Sequence, residues 1–149
     1  MKSIHSIRIK AFSNEDEVNN VRQSIYNILP DGSRDKEIKE SKIEPESDAC
    51  VFTEQLRVLE LNLNRQGDIK SFTNTLLGKL KKYDKEKLSS EITNRIDDDC
   101  NFYIRLSKKD AMDKKFKLWD DDPIQIKIKI ATFPKNKNNA IEMAMELLK

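Results

Sequence analysis

A chain of 149 residues and 17.4 kDa with 37% hydrophobic content suits one domain, 1–149, that builds its own core; two domains would each be small. The 36% charged content and mean hydropathy of −0.74 describe a heavily solvated surface, and no apolar run approaches the ~20 residues of a membrane span. The formal charge of +2 balances 28 basic against 26 acidic residues, so any affinity for nucleic acid must come from how charge is segregated over the surface.

The start Met1-Lys2-Ser3-Ile4 has no apolar region after it, which predicts a cytoplasmic protein with no membrane association. Ile4 to Phe12 alternates Ile7, Ile9 and Ala11 with Arg8, Lys10 and Phe12, the pattern of a strand with one dry face. Ser13 then reads as an N-cap, with acids in the following turn, for a helix whose stripe is Val18, Val21, Ile25 and Ile28 and whose stop is Pro30-Asp31-Gly32. From Asp31 to Ala49 nearly every residue is charged or turn-forming, so 31–49 is expected to be mobile.

Val58 to Asn64 is the next strand, with Leu59, Leu61 and Leu63 on one side. Gly67 breaks it, and Asp68 is the expected cap of a helix along Ile69, Phe72, Leu76 and Leu80. A second helical pattern from Asp84 runs through Leu88, Ile92 and Ile96, as a continuation of the first or as its partner. Asp97 to Asn101 reads as a turn into a strand with Phe102, Ile104 and Leu106 inward and Tyr103, Arg105 and Ser107 outward. Ser107 and Asp110 form a capping signature for a helical turn over Lys108 to Asp113. The clearest strand is Pro123 to Phe133, where Ile124, Ile126, Ile128 and Ile130 oppose Gln125, Lys127 and Lys129. A C-terminal helix with Ile141, Ala144 and Leu148 follows, so a strand and a helix begin the chain and a similar pair ends it. Together these elements predict an α+β two-layer sandwich: one mostly antiparallel or mixed sheet with helices packed on one face.

Enzyme motifs are missing from this pattern. The three glycines form no phosphate loop, and His5, the single histidine, shares strand parity with Ile7 and reads as a core-edge or rim residue. Cys50 and Cys100 fit no metal or redox spacing and are expected as reduced thiols. The runs Asp97 to Asp99 and Asp120 to Asp122 would offer magnesium oxygen ligands only if their turns met in space; otherwise they are solvated turns. No catalytic residue, metal site, cofactor or small-molecule substrate is expected.

Arg8, Lys10, Tyr103, Arg105, Lys127 and Lys129 all take outward positions on three of the strands. A basic face with a stacking ring can hold single-stranded RNA through phosphates and bases; the same residues also suit an ordinary solvated face. Trp119, near Lys117, can stack on a base or plug the core's end, and Lys108, Lys109, Lys114, Lys115, Lys117, Lys135 and Lys137 add charge nearby.

The segment Arg95-Ile96-Asp97-Asp98-Asp99-Cys100-Asn101-Phe102-Tyr103-Ile104-Arg105-Leu106-Ser107-Lys108 resembles an archaeal family described as RNA-binding and predicted to associate with the exosome. Ile4 to Phe12 and the closing strand and helix add to the likeness. The resemblance implies a fold similar to that of the 5S-RNA-binding ribosomal protein of the large subunit, and a role near RNA processing without catalysis. The chain departs from the family's pattern at Cys100, where glycine is expected, and at Cys50-Val51-Phe52-Thr53-Glu54, where a segment with glycine and histidine is expected. The leading expectation is therefore a non-catalytic RNA-binding protein. The alternatives are a homodimeric assembly protein that pairs through strand edges and a metal-dependent hydrolase built on the aspartate runs.

Overall fold

The alternating runs pair into a single antiparallel sheet of five strands in the computed structural model, which describes residues 3–31, 36–43 and 56–149. The strands are β1 (Ile4–Ser13), β2 (Lys39–Ile43), β3 (Leu56–Leu63), β4 (Asn101–Leu106) and β5 (Ile124–Ile130), in the order β2-β3-β1-β5-β4. Ile7 stands opposite Leu63 on one side and Ile128 on the other, and Ile126 joins Ile9 to Ile104, so inward residues fall in continuous rows. These rows and the helical stripes form one core. Each fully buried isoleucine or leucine in it, such as Ile9, Leu59 or Ile126, contributes roughly 1.5–3 kcal/mol of transfer free energy.

The helices are α1 (Val18–Ile28), α2 (Gln66–Lys79), α3 (Lys82–Ser90), α4 (Ile92–Arg95), α5 (Lys108–Met112) and α6 (Lys137–Leu147). Val21, Ile25 and Ile28 of α1, Phe72 and Leu76 of α2, Leu88 of α3 and Ala140 and Ala144 of α6 are buried in the core. The two-layer α+β architecture is as the apolar periodicities require. The helical stretch after β3 is a pair and not one rod, because Leu80 and Lys81 both adopt extended backbone between α2 and α3. Among the described residues no helix is long and apolar enough to cross a membrane.

Several local expectations are corrected. Ser13 ends β1 and does not cap α1; its hydroxyl donates to the Asn14 carbonyl, and Asn14 Oδ1 instead accepts the Glu17 N–H at 2.9 Å in the turn before the helix. Asp68 is not a cap either, since α2 starts two residues earlier, leaving Asp68 in its first turn where a carboxylate suits the positive helix end. A register irregularity between Ile4 and Ser6 turns Ile4 into the core and leaves His5 exposed, against its expected parity with Ile7.

Within the charged segment 31–49 the structure holds β2, an element the sequence pattern does not announce. It pairs with β3 from Lys39 opposite Glu60 to Ile43 opposite Leu56. Glu40 is bound by Arg22 of α1 and by Arg57 of β3, so ion pairs help hold a strand with little apolar content. Residues 32–35 and 44–49 of that segment, and Cys50 to Glu54, lie outside the described residues.

Candidate nucleic-acid interface

The strand register gathers Arg8, Lys10, Tyr103, Arg105, Lys127 and Lys129 on the face turned away from the helices. Tyr103 is opposite Lys127, which is opposite Arg8, which is opposite Asn62, so one row crosses four strands. In the next row Arg105 faces Gln125, Gln125 faces Lys10, Lys10 faces Glu60, and Glu60 faces Lys39. Lys129 lies between Ser6 and Asn101. Neighbouring strands sit about 4.8 Å apart, so the cations form a patch and not scattered charges.

Two of these cations have acidic partners. Arg8 Nε is 2.8 Å from Glu60, and Arg105 Nη1 is 3.4 Å from Asp120. Lys10 lies 5.0 Å above the ring of Phe12, which its own strand places on the same face. Lys127 and Lys129 have no carboxylate partner among the described residues. With Arg8 and with Lys135 from the loop after β5, they line a polar groove of about 420 Å³ whose walls also include Ser6, Asn62, Asn101 and one carboxylate, Asp99, so cations outnumber acids there four to one. Such a groove offers phosphate several charged donors at once.

Tyr103 is fixed by the turn before its strand. Ile96 pairs with Phe102, and between them the Asp97 carboxylate accepts from the backbone N–H groups of Asp99 (3.0 Å) and Asn101 (2.9 Å), the Asn101 amide (3.1 Å) and the Tyr103 hydroxyl (2.8 Å). Those donors fill the acceptor capacity of a carboxylate. Burial alone would push the Asp97 carboxyl up, yet the bonds from Asn101, Tyr103 and Asp99 outweigh it and hold its pKa below the usual value. Burial raises the Tyr103 phenol, as do the bond to Asp97 and the charges of Asp97 and Asp99, with Arg8 opposing. The aspartate runs thus have local duties: Asp97 closes a turn, Asp120 meets Arg105, and Asp122 lies 2.9 Å from Lys108. Among the described residues no group of three metal-ligating side chains is assembled.

One aromatic residue that strand parity does not assign joins the face, and another stands exposed in the loop after β5. Leu118 bridges Leu106, with Ser107 N–H donating to Lys117 and Trp119 N–H donating to the Arg105 carbonyl, so Trp119 comes to stand across from Arg105. Its ring is half exposed at the sheet's rim and does not plug the core. Phe133 is 99% exposed in the loop that carries Lys135. Strand alternation does not assign it, because β5 ends at Ile130. Cys100 is buried with a φ of 67°, a left-handed conformation that favours glycine, which is the residue the family pattern leads one to expect there.

A family model described as RNA binding matches residues 6–130. The RNA-binding protein PAB1135 of Pyrococcus abyssi is 27% identical over 146 residues, spanning 97% of this chain and 93% of that protein. The crystal structure of protein AF2318 from Archaeglobus fulgidus superposes with a TM-score of 0.84 at 27% identity, covering 97% of this chain and 99% of that one. Mth689, a DUF54 protein from Methanothermobacter thermautotrophicus, shares the fold with a TM-score of 0.78 at 20% identity over 99% of this chain and all of its own.

Proposed function

This chain belongs to the RNA-binding family, and on that premise we propose that its helix-free sheet face holds single-stranded RNA without catalysing a reaction. The observation that carries the reading is the pairing in one row of Lys127, a cation without an acidic partner among the described residues, with Tyr103, a ring anchored at its hydroxyl end. Lysines on a flat face reach phosphates, and half-exposed rings stack on bases that are free of a duplex. Trp119 extends the stacking surface beside Arg105, and the exposed Phe133 lies two residues from Lys135 of the groove. Arg8 and Arg105 exchange their surface carboxylates for phosphate, a small cost because exposed ion pairs are worth about 0–1 kcal/mol. The same reading includes an accessory part in RNA processing, motivated by the resemblance to predicted exosome-associated proteins. Photo-crosslinking to a uridine-rich oligonucleotide tests it. Crosslinks should map to the peptides holding Tyr103, Trp119 or Phe133, and crosslinks confined to the helical layer would contradict it.

A further inference from the structure

Away from the sheet face, Lys79, Lys81, Lys114, Lys115 and Lys117 converge with Tyr83 on a groove of about 650 Å³ between the α2–α3 corner and the segment after α5. The walls are firmly joined. Leu80 and Phe116 are buried, and the buried Asp84 of α3 accepts the Leu118 N–H at 3.3 Å. That bond occupies one of the two carboxylates in the groove, leaving Asp110 as the other. None of the five ammonium groups has a carboxylate partner among the described residues; Lys79 rests 5.9 Å from the Phe116 ring and Lys117 5.8 Å from the Trp119 ring. Concentrating unneutralised cations works against folding, because like charges repel. Tyr83 is 77% exposed, so it contributes little to the core either. An anionic occupant with stackable groups accounts for both.

We infer that this groove takes the continuation of the same RNA strand, which leaves the sheet face over Trp119 and passes Lys117 to reach Tyr83 and the lysines. The inference rests on the sheet-face reading above. It is carried by continuity: Trp119 stands across from Arg105 on the sheet, Lys117 lies over its ring, and Lys117 also lines the groove. Of the neighbouring acids, Asp122 is held by Lys108, and Asp120, which Arg105 releases on taking a phosphate, is well exposed to solvent. A phosphate backbone with bases matches a wall of lysines and one exposed ring, whereas an acidic protein segment would leave Tyr83 without a role.

Fluorescence anisotropy with the full chain and oligouridylates of about 5 and about 15 nucleotides tests this, lengths that bracket one short single-strand site and a site extended over a second surface. The long oligonucleotide should bind at least about tenfold more tightly than the short one, because each added phosphate contact releases counterions. The triple variant Lys81→Glu, Lys114→Glu, Lys115→Glu should remove that gain and lower the salt slope by about 2, while short-oligonucleotide affinity and the thermal unfolding curve stay unchanged. All three positions are exposed, which protects the fold. A variant that keeps the full gain overturns the path through the groove, as does a wild-type protein that gains nothing with length but is competed by polyglutamate. Loss of short-oligonucleotide binding in the wild type is a separate failure, which removes the sheet-face reading as well.

Discussion

The Tyr103 hydroxyl donates to Asp97 Oδ2 across 2.8 Å, so the carboxylate that closes the turn before β4 also anchors a ring on the cationic face. Turn and binding surface therefore share one bond. Tyr103→Phe keeps the ring and removes the donor: stability should fall by about 1 kcal/mol in denaturant unfolding, with RNA affinity little changed. Tyr103→Ala removes the ring too, and affinity should fall by a further ~1–3 kcal/mol if a base stacks there.

The same bond sets a pH window. Asp97 has a lowered pKa when folded, so its contribution is present above its ordinary value of 3.8 and is lost as pH falls through the lower folded value. Tyr103 has a raised pKa, so its contribution is present below 10.0 and is lost as pH rises through the higher folded value. Thermal unfolding across the pH range should show both losses. Asp97→Asn should flatten the acid limb, and an unchanged acid limb in that variant would assign it to other carboxylates.

Cys100 should reverse the usual ranking of small residues. Alanine at this buried position loses the sulfur, including its 3.4 Å contact with the Asn136 carbonyl, and keeps a φ of 67°; glycine loses the same contact and is free of the backbone strain. Cys100→Gly should therefore be more stable than Cys100→Ala by about 1 kcal/mol, in contrast to a helix interior, where glycine is the worse of the two. Chemical denaturation of the pair gives the sign directly.

Most of the sheet is legible in the residues because its central strands are dry on one face. Ile124, Ile126, Ile128 and Ile130 cannot sit together on any helical face, and their alternation assigns Lys127 and Lys129 outward at once. The edge strand β2 is illegible for the opposite reason: Lys-Glu-Ser-Lys-Ile makes no apolar row, and its Glu40 is held by arginines distant in sequence. His5 misleads because a one-residue irregularity reverses parity, which nothing in Ile4-His5-Ser6 marks. For the candidate site, parity yields the six outward residues but not the order of the strands. Glu60 beside Arg8 and Trp119 across from Arg105 both come from long-range pairing, so the partners of those cations appear only once the sheet is assembled.

The central claim is that the sheet face holds RNA, and the double variant Lys127→Glu, Lys129→Glu tests it most directly. Both lysines stand on β5 between buried isoleucines that point the other way, so the exchange should alter surface potential and shift stability by under about 1 kcal/mol. Titration of a short single-stranded RNA over a range of salt should show an affinity loss of at least about tenfold at low salt and a salt slope reduced by about 1.4, close to two phosphate contacts. Unchanged affinity and slope, with a native circular dichroism spectrum, would contradict the account and return this face to ordinary solvated surface.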